Sequence, residues 1–280
     1  MVLTDAKTYA FFVLQSHSHG TTRYLILDSD AQIYWGQSSR PIHVVQRTQP
    51  LGIARLPRTH LEVSDLFPPY NPLTMTEFLP SPSQDPSAIF TKRQNILSGE
   101  RILTQPEAYA QLTMQEIRIA EELGKQPHAN VCAYLGVVVD RRLRNRRVTD
   151  IVYKRYTCDL FHYVSCGLLR HRSQISHILA AVYAGMRHIH SLGFVHCDLR
   201  PENIFLTLGA DAGNAQAVIE EVVVGDLDAA VRIGEHVELK AATREWWPEG
   251  FEWGDRARTE LDEYSFACLG PWLGEWLEKG

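Results

Sequence analysis

Two short polar motifs constrain the fold of this chain more than any other feature. The first is Val195-His196-Cys197-Asp198-Leu199-Arg200-Pro201-Glu202-Asn203, which places an Asp and an Asn five residues apart behind a His. The second is Val224-Gly225-Asp226-Leu227-Asp228. Carboxylate and amide oxygens are ligands that Mg²⁺ accepts. We therefore expect Asp198, Asn203 and Asp226 to belong to one polar site.

Bulk composition excludes several classes of function. The net charge of -5 over 280 residues argues against a general nucleic-acid binder, which usually carries a basic surface. No run of about 18 apolar residues predicts a membrane span, and the N-terminus, with Asp5 and Lys7, lacks the apolar core of a secretion signal. Five cysteines without a CxxC pair favour a reducing compartment. We expect a cytoplasmic protein, with the nucleus as an open alternative.

Hydrophobic patterning predicts mostly strands in the first half of the chain. Residues 50–86, rich in Pro and Ser, are predicted to form an irregular or partly disordered connection. A turn containing His19-Gly20 is expected between the first two strands. The predicted elements are strands at 9–16, 23–35 and 87–93, a helix at 105–125, and a hairpin of strands at 131–139 and 148–156.

The second half is predicted to be mostly helical. A helix is expected at 173–192, ending at Gly193, and a second at 261–279 with an interruption near Pro271. Short strands are expected on either side of the two polar motifs. Strands plus one helix followed by a helical half predict an α+β fold in two parts.

The two motifs resemble signature segments of protein kinases. The first is similar to the catalytic loop His-Arg-Asp-Leu-Lys-Pro-Glu-Asn, with Cys197 in place of Arg and Arg200 in place of Lys. The second resembles Asp-Phe-Gly, with Leu227 and Asp228 at the last two positions. The resemblance covers roughly residues 66–273 and implies a two-lobed protein-kinase-like fold. The implied parts are an N-terminal extension at 1–65, a small β-rich N-lobe at 66–158 and a shortened, mostly helical C-lobe at 159–280.

The resemblance also implies roles for the residues of the catalytic loop. Asp198 would orient the acceptor hydroxyl, and Arg200 would meet the γ-phosphate of ATP. Asn203 and Asp226 would hold Mg²⁺. Cys197 replaces the arginine that in this family pairs with a phosphorylated loop, so no such switch is expected.

Further implied roles concern nucleotide binding. The strand Ala88-Ile89-Phe90-Thr91-Lys92 resembles the one whose lysine contacts the α- and β-phosphates, and Glu116 would be the partner of Lys92. Four further residues are expected to contact ATP: Tyr153 as gatekeeper, Tyr156 in the hinge, Asp159 near the ribose, and Phe205. On the final helix, Asp262 would hold the backbone of the catalytic loop.

The chain also departs from the family pattern. Residues 77–85, where a Gly-x-Gly-x-x-Gly loop is usual, contain no glycine, although glycine lets the backbone approach phosphates closely. The shortened C-terminal half, Cys197 in the catalytic loop and the Asp226-Leu227-Asp228 cluster together resemble small fungal-type kinase-like proteins whose loops contain His-Asn-Asp-Leu.

Three functions stay open at this point. The first is ATP- and Mg²⁺-dependent phosphorylation of protein Ser or Thr. The second is a pseudokinase that binds or scaffolds a protein partner. The third is a small-molecule kinase of the aminoglycoside or choline type, because Asp226-Leu227-Asp228 is also similar to the metal motif of those enzymes. A protein substrate or partner is expected, without nucleic acid or membrane, and the oligomeric state is open.

Overall fold

The computed structural model describes residues 8–16, 20–97, 101–210, 217–240 and 243–279. The chain divides into two compact units, one of residues 1–71, 93–113 and 138–150, the other of residues 72–92, 114–137 and 151–280. The three segments predicted from the sequence stay a prediction. Among the described helices, none is long and apolar enough to cross a bilayer.

The first unit contains an antiparallel sheet whose four described strands pair in chain order. These strands are β1 (Tyr9–Ser16), β2 (Thr22–Asp28), β3 (Ile33–Ser38) and β4 (Thr59–Leu61). Its short helices are α1 (Ile42–Gln46), α2 (Pro50–Ile53), α3 (Val63–Leu66) and α4 (Arg101–Thr104). Successive residues of a strand point to opposite faces, and in β2 both Leu25 and Ile26 are fully buried. Leu25 packs with Leu66 and Ile26 with Val45, so both faces of the sheet carry an apolar layer.

A turn divides the single strand predicted at 23–35 into β2 and β3, so that prediction is wrong. The Asp28 carboxylate accepts hydrogen bonds from the backbone N–H groups of Asp30 and Gln32, both at 2.9 Å. Ala31 adopts a left-handed φ of 61°. Hydrogen bonding from an Asp side chain to the backbone two residues ahead is typical of turns. The predicted turn residue His19 lies outside the described residues.

The connection predicted as irregular at 50–86 is ordered over nearly its first half, from α2 to α3. Helix α2 begins at Pro50, which suits a first helical position because proline lacks the N–H that would have no partner there. Leu61 of β4 and Leu66 of α3 are buried in the core. Apolar residues spaced among the prolines therefore fix this part, and the prediction is wrong for it. Residues 68–85 contain no described helix or named strand.

A second sheet has the strand order β5-β7-β6. It consists of β5 (Ile89–Lys92), β6 (Tyr134–Asp140) and β7 (Arg147–Lys154), and α5 (Glu107–Lys125) lies between β5 and β6 in sequence. The predicted hairpin at 131–139 and 148–156 corresponds to β6 and β7, and the predicted helix at 105–125 to α5. The elements that follow all belong to the second unit and are β8 (Cys158–Asp159), α6 (Leu160–Ser165), α7 (Arg172–Ser191), β9 (Phe194–Val195), β10 (Ile204–Ala210), β11 (Ala217–Val224), β12 (Val231–Arg232) and α8 (Thr259–Lys279).

Helix α7 is held by one apolar face. Ile178, Val182 and Ile189 are fully buried, at the spacing that places side chains on one side of a helix. Gly185 on α7 lies against the chain at Asn130, where an added Cβ would be 2.2 Å from the Asn130 carbonyl oxygen. A glycine is therefore required for this close approach, which brings α7 against the segment before β6.

Helix α8 runs continuously through Pro271 to Lys279, so the predicted interruption is wrong. A proline inside a helix removes one hydrogen bond and leaves the carbonyl four residues earlier without its usual donor. Pro271 and Ala267 are both exposed, so water reaches that carbonyl and the helix continues. With strands before the long helices α7 and α8, the predicted α+β class is confirmed.

Candidate functional site

An ion pair joins strand β5 to helix α5. Lys92 Nζ lies 2.8 Å from each carboxylate oxygen of Glu116, and Tyr153 on β7 donates its hydroxyl to Glu116 Oε1 at 2.9 Å. Glu116 is fully buried. Burial raises the pKa of the Glu116 carboxyl to about 7, although the Lys92 ammonium acts in the opposite direction. The structure thus brings together the lysine and glutamate that the sequence predicted as partners.

A pH dependence of stability follows from the raised pKa of Glu116. A folded-state pKa above the unfolded value means that the protonated folded form is favoured, so this contribution is present below about pH 4.5 and is lost as the pH rises through about 7. We expect the free energy of unfolding of wild type, relative to Glu116→Gln, to decrease as the pH rises through this window. Urea titrations of both proteins between these pH values measure it, and a flat difference would contradict the assignment.

The second motif places two more carboxylates beside Lys92. Asp226 Oδ1 forms an ion pair with Lys92 Nζ, and Asp228 Oδ2 lies 3.3 Å from the same nitrogen. Asp226 adopts a left-handed φ of 59°, which Asp tolerates better than most residues. A Cβ on the preceding Gly225 would lie 2.7 Å from the Phe205 ring. Glycine is thus required where the motif approaches β10.

Helix α8 holds the first motif through Asp262. The Asp262 carboxylate accepts hydrogen bonds from the backbone N–H of His196 at 2.8 Å and of Cys197 at 2.9 Å. His190 Nε2 lies 2.7 Å from Asp262 Oδ2. Cys197 has a left-handed φ of 61°, a strained conformation that these contacts stabilise. The predicted role of Asp262 as an anchor of this loop is confirmed.

Asp198 and Asn203 occupy one buried turn. Asn203 Nδ2 donates to the Asp198 carbonyl oxygen at 2.8 Å, and the Asn203 carbonyl accepts from the Gly225 N–H at 2.9 Å. The Asp198 side chain is 7% exposed, and its Oδ1 has no hydrogen-bond partner among the described residues. Burial raises the pKa of the Asp198 carboxyl, against the opposing effect of Lys240. A buried acceptor without a donor is costly, so this oxygen is one to which a ligand hydroxyl would donate favourably.

Arg200 is engaged within its own turn. Its Nε and one terminal nitrogen lie 2.8 Å and 2.5 Å from the two oxygens of Glu202. This bidentate pair raises the pKa of Arg200 and lowers that of Glu202. The predicted contact of Arg200 with a γ-phosphate would require the guanidinium to share or leave Glu202, and it stays a prediction.

Lys240 is a site residue that the sequence analysis missed. Its Nζ lies 2.6 Å from Asp228 Oδ1, 3.4 Å from Asp226 Oδ2 and 3.7 Å from Asp198 Oδ2. Burial opposes its charge, but Asp226 and Asp228 raise the pKa of Lys240 overall. Burial alone would raise the pKa of the Asp226 carboxyl, but the ammonium groups of Lys92 and Lys240 hold that pKa below its ordinary value. No motif identifies this lysine, because it lies outside both polar motifs and outside every described helix and strand.

A cavity of about 330 Å³ adjoins this charged cluster. That volume lies in the range of small-molecule sites. All five residues predicted to contact a nucleotide line it, together with both predicted metal ligands. The lining residues are Phe90, Lys92, Cys132, Tyr153, Lys154, Arg155, Tyr156, Cys158, Asp159, Glu202, Asn203, Phe205 and Asp226. The cavity therefore has aromatic walls and a charged end formed by Lys92 and Asp226.

The chain after β7 forms one wall of the cavity. The Tyr156 ring stacks on Phe205 with centroids 6.2 Å apart, and its hydroxyl accepts from the Ala133 N–H at 3.1 Å. Among the described residues, none accepts a hydrogen bond from the Tyr156 backbone N–H. Asp159 is used structurally, because its carboxylate accepts from the His162 N–H at the start of α6.

The chain segment before β5 lies alongside β6 and forms backbone hydrogen bonds with it. Val137 N–H donates to the Thr76 carbonyl at 2.8 Å, and Phe78 N–H donates to the Val137 carbonyl at 2.9 Å. An added Cβ on Gly136 would lie 2.7 Å from the Thr76 carbonyl oxygen. This glycine serves packing of the segment, and among the described residues 72–88 there is no hairpin strand to cover phosphates.

Comparison with known proteins agrees with this geometry. A family model described as a protein kinase domain matches residues 94–270. The chain belongs to the protein kinase domain family. Membership confirms the protein-kinase-like fold that the two motifs predicted. The matched region contains Glu116, the catalytic loop and the Asp226 motif.

Relatives of this kinase domain are similar over part of the chain. The serine/threonine-protein kinase US3 homolog of Gallid herpesvirus 2 (strain GA) is 33% identical over 113 residues, which are 40% of this chain and 24% of that protein. The serine/threonine-protein kinase SKS1 of Saccharomyces cerevisiae is 31% identical over 114 residues, 36% of this chain and 21% of that protein. The match thus spans about a quarter of the length of these relatives.

A chain from the crystal structure of the yeast RNA Pol II CTD kinase CTDK-1 complex has a TM-score of 0.49 and 18% identity, covering 67% of this chain and 55% of that one.

Proposed function

We propose that this chain transfers the γ-phosphoryl group of Mg·ATP to serine or threonine hydroxyls of a protein. The observation that carries the proposal is the Lys92–Glu116 ion pair beside Asp226, at the charged end of a cavity lined by the residues expected to bind adenine and ribose. Phosphoryl transfer depends mainly on positioning and charge neutralisation, and this arrangement supplies groups for both.

Mg²⁺ fits the oxygen donors at the end of the cavity. Carboxylate oxygens of Glu116, Asp226 and Asp228 lie within 4.8 Å of one another. Asn203 uses its Nδ2 in the bond to Asp198, which leaves Oδ1 for a ligand. Hard oxygen atoms suit Mg²⁺, and Asn203 and Asp226 would hold it. A bound Mg²⁺ would neutralise negative charge on the phosphates of the nucleotide.

The protein groups divide the remaining tasks. Lys92, held by Glu116, binds the α- and β-phosphates as a point charge, while Tyr153, Tyr156 and Phe205 surround the base. The Tyr156 N–H would donate to the adenine ring. Asp198 orients the acceptor hydroxyl through its unpartnered Oδ1 and takes its proton as transfer proceeds.

Transfer of radiolabelled phosphate from ATP tests the proposal. The acceptors are a Ser/Thr peptide array, a Tyr peptide array, and a panel containing choline and an aminoglycoside. Label on Ser or Thr peptides supports the proposal. Label on the small alcohols alone would instead support the small-molecule kinase suggested by the Asp-Leu-Asp motif.

A pseudokinase is the second candidate, and two observations favour it. The segment before β5 contains no glycine from 77 to 85, and Arg200 is paired with Glu202 rather than available to a phosphate. This candidate expects binding of a protein partner without phosphate transfer. Absence of label on every acceptor, with a folded protein, would favour it.

A further inference from the structure

Lys240 bridges the carboxylates of the proposed metal site and the proposed acceptor site. Its side chain is 35% exposed, and its nitrogen contacts Asp228 Oδ1, Asp226 Oδ2 and Asp198 Oδ2 at 2.6, 3.4 and 3.7 Å. Lys92 contacts the other oxygen of each aspartate in the second motif, Asp226 Oδ1 and Asp228 Oδ2. All four carboxylate oxygens of Asp226 and Asp228 therefore face an ammonium group.

Mg²⁺ cannot be added to this arrangement without displacing a cation. The ion requires oxygen atoms at about 2.0–2.1 Å in near-octahedral geometry, and an ammonium at 2.6–3.4 Å from the same carboxylates would lie close to it. Two cations at such a separation repel each other strongly in a partly buried site. Either Lys92 or Lys240 must therefore move when the metal binds.

The surroundings of the two lysines identify which one moves. Lys92 belongs to strand β5 and is held by the fully buried Glu116, with 17% of its own side chain exposed. Lys240 lies outside every described helix and strand, and its side chain is twice as exposed. Lys240 is thus the cation that can leave toward solvent at lower cost.

We propose that Lys240 is an internal competitor of the divalent metal: its ammonium neutralises Asp226 and Asp228 in the metal-free protein and is displaced when the metal–nucleotide complex binds. The proposal rests on the proposed function, because it assumes that the site accepts such a complex. In this proposal, Lys240 changes its position when the metal binds, and its competition with the metal lowers the metal affinity of the site. A lysine that instead contacted the phosphates would have the opposite effect on binding.

The first test measures binding of Mn²⁺ in the presence of ADP by electron paramagnetic resonance. Lys240→Met is expected to bind Mn²⁺ about twofold to fivefold more tightly than wild type, because the competing charge is removed. Lys240→Arg should resemble wild type. Lys125→Met, which removes an exposed lysine paired with Glu122, is the matched control and should not change the affinity.

Two outcomes of this titration overturn the inference alone. Weaker Mn²⁺·ADP binding in Lys240→Met would mean that the lysine assists the phosphates, and equal binding would mean that it does not compete. If neither wild type nor Lys240→Met binds Mn²⁺·ADP while both are folded, the proposed function fails and the inference falls with it.

A second test needs no ligand. Urea unfolding of wild type, Lys240→Met, Asp228→Asn and the double variant forms a double-mutant cycle. We expect the double variant to be more stable than the sum of the single effects predicts, because each substitution removes the same contact. Additive effects would show that Lys240 and Asp228 do not interact in the metal-free protein and would overturn the inference independently of nucleotide binding.

Discussion

Replacing Asp198 by asparagine is expected to lower the rate of phosphate transfer to a Ser/Thr peptide by about 10²- to 10⁴-fold, the range that general-base groups contribute. Asparagine has the same shape but cannot take the proton of the acceptor hydroxyl. Because Asp198 does not line the cavity, the affinity for Mg·ATP should stay close to that of wild type. Steady-state transfer rates and a nucleotide titration on the same preparations measure the two quantities.

The matched control for this substitution is Asp255→Asn. Asp255 is an exposed carboxylate that accepts a hydrogen bond from the Glu252 N–H at 2.9 Å, and it lies outside the cavity lining. This control should retain wild-type transfer. If Asp198→Asn keeps the wild-type rate, Asp198 is not the group that orients the acceptor. If it loses nucleotide affinity as well, its effect is on the shape of the site.

The polar motifs predicted the site because their spacing is local. Asp198 and Asn203 are five residues apart in one turn, and their mutual hydrogen bond depends only on that turn. The pairing of Lys92 with Glu116 was also predicted, because the order of strand β5 and helix α5 resembles that of the family in which these two residues pair. Contacts of the first kind depend on a short segment and those of the second on the order of elements in the family. Both can be recognised from the amino-acid sequence.

Lys240 could not be predicted on the same basis. It belongs to no motif, and its three carboxylate partners come from the catalytic loop and the second polar motif. Its position depends on the path of the loop after β12, which hydrophobic patterning does not describe. Arg200 shows the related difficulty that a long side chain chooses among partners, and here Glu202 is two residues away.

Errors in the fold have equally specific causes. At 23–35 the polar run Asp28-Ser29-Asp30-Ala31-Gln32 separates two apolar stretches, and the hydrogen bonds of the Asp28 carboxylate show that β2 ends there. Pro271 was expected to interrupt α8, but its exposed position lets the helix continue. In both cases the sequence pattern was real, and solvent access or one side-chain contact determined the outcome.

Replacing Lys92 by methionine is expected to abolish stabilisation by Mg·ATP. A ligand at ~100 times its dissociation constant stabilises the native state of wild type by roughly 2.7 kcal/mol, which thermal denaturation with and without Mg·ATP detects as a shift of several degrees. Lys92→Met should show no shift, because the charge that meets the phosphates is gone. Lys125→Met, an exposed lysine paired with Glu122 at 2.8 Å, is the control and should shift like wild type.

The same substitution should also destabilise the ligand-free protein, and the size of that effect distinguishes two causes. Removing one partner of a buried ion pair costs about 3–5 kcal/mol because the other charge loses its partner, and Glu116 is fully buried against Lys92. Adding Glu116→Gln should recover part of this loss, since a neutral amide is less costly to bury, yet the double variant should still show no thermal shift with Mg·ATP.

A shift that persists in Lys92→Met would exclude Lys92 as a phosphate ligand. A wild-type protein that is folded and unshifted at millimolar Mg·ATP would favour the pseudokinase, in which the Lys92–Glu116 pair serves stability alone.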